Sequence, residues 1–276
     1  MRNLSLILGL LAVTLGVAAQ SFSVSPSDRV VFAPGNLQYQ ASSDSFRFAP
    51  EQFSVLGYQN DSIGPDNSLW IDLFGWATSG YDNTAADRLA IHFEPWSWIC
   101  ELGAELDYEL NQFGYGPSQN MPDRDFQSTA EAYDWGFYRR IGNDAPRTWR
   151  TLSREEWRYL LWSRERADEL HKLVSVADVR GLLLVPDGGR LPVADVFSVD
   201  EWHALEAEGC VFLPMAGARY HFRTADVGLM GGYWTSTCHN QASAYFLAVY
   251  DSYVCLSTEL YGRHTGRCVR LARNVK

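Results

Sequence analysis

Short apolar runs broken by turn residues dominate this chain. Val30-Val31-Phe32 has the form of a strand ended by Pro34-Gly35-Asn36, and 37–40 and 46–48 alternate as further strands. Residues 50–56 are expected to make a helical turn, and 72–80 (DLFGWATSG) a packed aromatic and glycine loop. The clearest helix starts at Ser153. Ser153-Arg154-Glu155-Glu156 is a capping box, with Trp157, Leu160, Leu161 and Arg164 following at helical spacing. A buried strand at 182–185 is stopped by Pro186-Asp187-Gly188. A second helix is predicted over about 198–208, with Ser198 as its cap, Glu201 at the third position and Gly209 as its stop. A strand at 211–213 follows, and from Gly231 onward the pattern is that of β-hairpins. Residues 81–130 carry no period and are expected to be a loop insertion. No unit of about 20–50 residues repeats, which excludes solenoids and propellers.

The first residues change this picture only at its edge. Arg2, the apolar stretch 4–18 and Val17-Ala18-Ala19 have the form of a signal peptide spanning 1–19, too short for an ordinary membrane span. No Cys follows the cleavage site, so a lipoprotein anchor is not expected, and no later stretch is apolar enough for a membrane helix. The expectation is an exported protein (periplasmic, cell-surface or secreted) whose remaining 276 − 19 = 257 residues, 20–276, form one domain. A net charge of −10 argues against nucleic acid or anionic membrane as partner. Ten Trp, fourteen Tyr and fourteen Phe suit a loop-heavy α+β fold with a core of large rings. The five cysteines are Cys100, Cys210, Cys238, Cys255 and Cys268. An odd number leaves at least one thiol unpaired, and three crowded near the end do not look like a disulfide framework.

The segment 231–270 mixes two kinds of residue. Gly232, Tyr233 and Trp234, the apolar Leu247, Val249, Val254 and Leu256, and Gly266, Val269 and Arg270 read as framework, with Tyr233 and Trp234 in the core. Between them stand Cys238, His239, Asn240, Ser243, Tyr250, Asp251, Ser252, Tyr253, Ser257, Tyr261 and His264. Rigid aromatics beside small adaptable polar groups make up the composition of a recognition surface. These eleven residues are the candidate ligand-binding face, for a protein or glycan ligand. A one-residue error in register would invert any strand's share of it.

Eight blocks occur in order: FAPGNLQY (32–39), DLFGWATSGY (72–81), YDWG (133–136), WRTLSREEWRYLL (149–161), GLLLVPD (181–187), FLPMAGAR (212–219), GGYWTST (231–237) and GRCVRL (266–271). The chain in this way resembles exported Bacteroidetes-type proteins of the Fibrobacter major paralogous domain family over about 30–271. The resemblance implies a C-type-lectin-like fold, shared with formylglycine-generating enzymes, that has few helices and short antiparallel strands. The same fold carries the variable proteins of diversity-generating retroelements. Their adenine-directed mutagenesis fills a C-terminal segment with Tyr, Ser, Asp, His, Asn, Thr and Cys on a fixed scaffold. The stretch after Trp234 is similar to that outcome, stray cysteines included.

Chemical uses of the same residues fare worse. Cys238 and His239 are adjacent and point apart along a strand, so they do not combine with Cys255, His264 and Cys268 as a zinc site. The close cysteine pair of the copper-using formylglycine-generating relatives is missing, because Cys238 and Cys255 are 17 apart and Cys268 is 13 further. HExxH, GxSxG, P-loop and GxGxxG motifs do not occur. The calcium and sugar signatures of C-type lectins are also missing: Glu94-Pro95-Trp96 keeps two of three residues, and the acids at 101–109 read as a solvated face. No cofactor and no metal are therefore expected. Arg219 and Arg270 are expected to be structural ion-pair partners of acids such as Asp134 or Glu156. The sequence points to non-catalytic recognition, with a fixed cell-surface component and a metal-dependent oxidase as rivals.

Overall fold

The computed structural model describes residues 20–81, 95, 125–220, 222–240, 243–258 and 262–275. The signal-like segment, most of 81–130 with Cys100 and the acids at 94 and 101–109, and Tyr261 lie outside them. The architecture is mixed α+β. Strands β1 (Phe22–Ser23), β2 (Arg29–Phe32), β16 (Leu271–Asn274) and β6 (Arg150–Thr151) form one sheet in that order. Its strand near the start of the described chain therefore lies beside the one at its end. A second sheet orders β10 (Val211–Pro214), β8 (Val179–Leu184), β7 (His171–Val176) and β9 (Val196–Phe197). The third is a meander of β13 (Met230–Cys238), β14 (Ala244–Tyr250) and β15 (Val254–Ser257). Two small sheets complete the set, β4 (Ser45–Phe48) with β3 (Leu37–Gln40) and β5 (Trp70–Ile71), and β11 (Ala218–Tyr220) with β12 (Arg223–Ala225).

The helices described are α1 (Trp135–Tyr138), α2 (Arg154–Trp162) and α3 (Val199–Ala207). Both longer ones begin as their sequences require. At α2 the Glu156 amide donates to Ser153 Oγ at 3.2 Å, and the Ser153 amide donates to Glu156 at 2.8 Å. Ser198 and Glu201 repeat the exchange at α3. Two expectations are corrected. Residues 50–56 make turns only, and the 3-10 helix comes after them at Gly57–Asp61. Arg164 lies beyond α2, fully buried, and pairs with Asp187 at 3.0 Å while donating to the Val185 and Leu170 carbonyls. Among the described residues no helix is long and apolar enough to cross a membrane.

Three apolar clusters form the core. One gathers Tyr39, Phe74, Trp76, Trp135, Trp234 and Phe246. The second gathers Phe22, Trp157, Leu161, Tyr233, Leu247 and Val249. The third packs Trp202 of α3 with Phe212 and Leu183 of the second sheet. The meander stands between the first two clusters, with Trp234, Phe246 and Ala248 facing one and Tyr233, Leu247 and Val249 the other. Tyr233 and Trp234 are thus core, as expected.

Candidate functional site

A sheet covered on both faces reads as continuous apolar sequence rather than as alternation, and Phe246-Leu247-Ala248-Val249 of β14 is fully buried. The meander consequently has no open strand face. Apart from Thr235, Ser236 and Thr237 within β13, its polar residues are left at its turns and along β15, whose four residues are all half-buried. This corrects the single face expected from sequence. Cys238 pairs with Ala244 at one end of β14, and Met230 pairs with Tyr250 at the other. At about 3.3 Å per residue the two turns stand roughly 20 Å apart. Cys238, His239, Asn240 and Ser243 lie at one, Tyr250, Asp251, Ser252 and Tyr253 at the other. Successive turns of a meander must fall at opposite ends, so a run of polar residues in sequence is divided in space.

The 238–243 end is the more elaborate. The amides of His239 and Asn240 both donate to the Ser243 carbonyl at 3.1 Å. Asn240 Oδ1 accepts from the Ser243 amide at 2.9 Å and from its hydroxyl at 3.0 Å, which closes the turn with a side chain. His239 Nδ1 is 3.1 Å from the Tyr245 hydroxyl, with the two rings edge to face at 5.1 Å. The Arg154 guanidinium covers the Tyr245 ring at 4.5 Å, and the Arg154 amide donates to Thr237 Oγ1 at 3.0 Å. Asp125 accepts from the Cys238 amide at 2.9 Å. Beneath the turn lies Arg263, fully buried and 4.5 Å from the Trp76 ring. It donates to Cys238 Sγ at 2.7 Å, to the Ser243 carbonyl at 3.4 Å and to the Asn240 carbonyl. One buried cation thus pins the turn from below. His239 and Asn240 project into solvent from this rigid base.

Several expected members change character. His264 is buried, and with Thr265 to Arg270 it belongs to the interior rather than to a surface. Ser257 sits on the edge strand opposite Phe246. Tyr250 and Tyr253 stack with ring centres 4.6 Å apart, and the Tyr250 amide donates to the Tyr253 carbonyl at 2.9 Å. Tyr253 is 53 % exposed, while Tyr250 packs against the first cluster. No two of the four described cysteines bond to each other. Cys238 and Cys255 face Ala244 and Ala248, four residues apart along β14, so they do not form a close pair. Burial pushes the Cys210 thiol up to about 12 and raises Cys268 well above the ordinary range, which keeps both protonated. Glu51, His203 and Glu206 bring their ligating atoms within 4.8 Å of one another at the surface. Their contact is an ion pair, His203 Nε2 to Glu51 at 3.0 Å, and that hydrogen bond raises the histidine's pKa.

Arg263 was missed by sequence reasoning, which named its neighbour His264. The visible signal was that Arg263 and Arg267 each follow a glycine, Gly262 and Gly266. Arg267 lies 3.4 Å from the Phe246 ring centre and 5.4 Å from that of Trp234, and a Cβ on Gly232 would stand 2.7 Å from its Nη1. Gly232 is therefore framework because a guanidinium passes over it. Arg219 and Arg270 correct the ion-pair expectation. Arg270 donates to Asn36 Oδ1 at 2.9 Å, Gln52 Oε1 at 2.8 Å and the Phe212 carbonyl at 2.8 Å, and Arg219 donates to the Leu73 carbonyl at 3.2 Å. Asp134 instead binds Thr151 and Gly136, and Glu156 binds Arg150 at 2.6 Å. Neutral oxygens hold Arg270, while Asp61 also acts on Arg219 electrostatically. No protein-family model matches the chain, and no curated protein or solved structure matches it significantly.

Proposed function

We propose that this is an exported, non-catalytic recognition protein of C-type-lectin-like fold that contacts its ligand through the 238–243 turn and the adjoining β15 edge. The observation that carries the reading is the contrast between the two parts of the C-terminal segment. The meander is buried on both faces, and Arg263 pins its end from below. Upon this base His239 and Asn240 are exposed, and Cys238, Ser243 and Ser257 are half-exposed. Part of this base is made through backbone groups, the Ser243 and Asn240 carbonyls to Arg263 and the Cys238 amide to Asp125, and these contacts survive exchange of the displayed side chains, as a diversified surface requires. The eight collinear blocks support kinship with the Fibrobacter major paralogous domain family. Antiparallel pairing of β2 with β16, near the two ends of the described chain, suits the proposed fold.

The test is the DNA downstream of the gene together with sequences from sister isolates. A near-copy of the last hundred or so bases, differing only at adenines and accompanied by a reverse transcriptase gene, is the expected result. Substitutions among isolates should then fall on 238–243 and on Ser257 of the β15 edge and spare Trp234, Phe246, Arg263 and Arg267. A segment identical in all isolates, with no copy, returns the protein to the fixed cell-surface class.

A further inference from the structure

A groove of about 950 Å³ runs between the β1-β2-β16-β6 sheet and the segment joining α3 to β10, a size that suits a small ligand. Its apolar lining includes Phe22, Val31, Phe32 and Pro34, and Arg147, Arg150 and Arg273 supply three guanidiniums. Glu156 neutralises Arg150. Arg147 and Arg273 make no ion pair among the described residues, in a chain of net charge −10. Each lies over a ring instead: Arg147 is 4.3 Å from the centre of Phe137, and Arg273 is 5.4 Å from that of Trp149. Trp149 is itself fixed by Phe48, edge to face at 5.3 Å, and by its indole N–H donated to Asp144 at 2.8 Å. A guanidinium laid over an aromatic keeps its N–H edge for an oxyanion and has already lost much of its rotamer freedom. Glu206, the carboxylate lining the groove, already accepts from Gln52 at 2.8 Å.

A second observation comes from the backbone. Ala145-Pro146-Arg147-Thr148 is a turn closed by the Thr148 amide on the Ala145 carbonyl at 3.3 Å. Arg147 has φ +70° at its third position, where proline at the second and positive φ at the third call for glycine or asparagine. The turn holds an arginine at a conformational cost, and this exposed side chain lies over Phe137 at the groove's lining.

We propose that this groove binds an amphipathic organic anion, its acyl or aromatic body on the apolar lining and its carboxylate or sulfonate held by Arg147 and Arg273. Anilinonaphthalene sulfonate is the probe, titrated into the full chain and followed by fluorescence. Saturable binding is expected, displaced by octanoate but neither by octanol nor by sodium sulfate at matched ionic strength. R147G and R273Q should each weaken it by about tenfold or more, as loss of a charge-assisted hydrogen bond predicts. R147G should hold or raise Tm, because glycine relaxes the turn. Wild-type affinity in both variants overturns the proposal, as does competition by octanol equal to that by octanoate. A lowered Tm in R147G would make Arg147 a structural residue and overturn it as well.

Discussion

Four arginines of the C-terminal third, Arg219, Arg263, Arg267 and Arg270, are fully buried, which is unusual for a charge unless it is paired. Burial lowers Arg219 and Arg270 to about 10, so both remain cations at neutral pH. Arg270 satisfies three separate acceptors that belong to β10 and to the loops at Asn36 and Gln52. R270A leaves Asn36 Oδ1 and the Phe212 carbonyl without this donor, while Gln52 Oε1 keeps the Phe212 amide, and should cost about 2–4 kcal/mol in guanidinium unfolding. R270K should recover only part of this, because an ammonium cannot reproduce a planar fork aimed at three acceptors. A loss below about 1 kcal/mol would mean that water reaches the site. The sequence made the wrong partners attractive here because charge pairing is the usual way to bury arginine. An arginine held by distant amide side chains leaves no spacing signature, since Asn36 and Arg270 are far apart in the chain.

At the scale of elements, legibility followed the strength of the local signal. The caps of α2 and α3 were readable because Ser and Glu three residues apart satisfy each other's backbone. S153A should lower stability by about 1 kcal/mol in thermal melts, with no change at the 238–243 turn beyond the Arg154–Thr237 bond. The β7–β8 hairpin escaped notice. Its turn is Ala177-Asp178, both in the left-handed region at φ 47° and 65°, where glycine or asparagine would have announced it. The meander was recognised as hairpins, but its burial on both faces is a tertiary fact, and that fact divided the candidate face. It also separates Tyr250 from Tyr253. Y253A should cost about 0.5–1 kcal/mol, the worth of a ring stack at an exposed turn. Y250A should cost about 2 kcal/mol, because this ring also packs against the first cluster. Equal small losses in urea titrations would place both rings on the surface.

The whole molecule binds distant segments through sheets whose order no local pattern announces: β16 lies between β2 and β6, so residues 271–274 are the centre of a sheet that begins at Phe22. The same long-range burial sets the response to pH. Asp72 and Asp134 are enclosed, and desolvation pushes each carboxyl up to about 6, against hydrogen bonds from Asn60 and the Leu56 amide at Asp72, and from Thr151 and Gly136 at Asp134. In the unfolded chain such groups titrate near 3.9. Between about pH 4 and 6 the folded state therefore holds protons that the unfolded state has released, and stability rises as pH falls through that window. Burial lowers His171, which acts in the opposite sense just below its ordinary value, one imidazole against two carboxyls. Asp187 feels burial upward, but hydrogen bonds from Ser23 and Arg164 bring it below the ordinary range. Its contribution is lost only as pH falls below about 4. Thermal melts across pH should thus show a higher Tm at pH 5 than at pH 7 and a decline below pH 4. D72N should flatten the slope between pH 4 and 6 while leaving the decline in place. A Tm that falls steadily from pH 7 to pH 5 would show that these carboxyls meet water in the folded state.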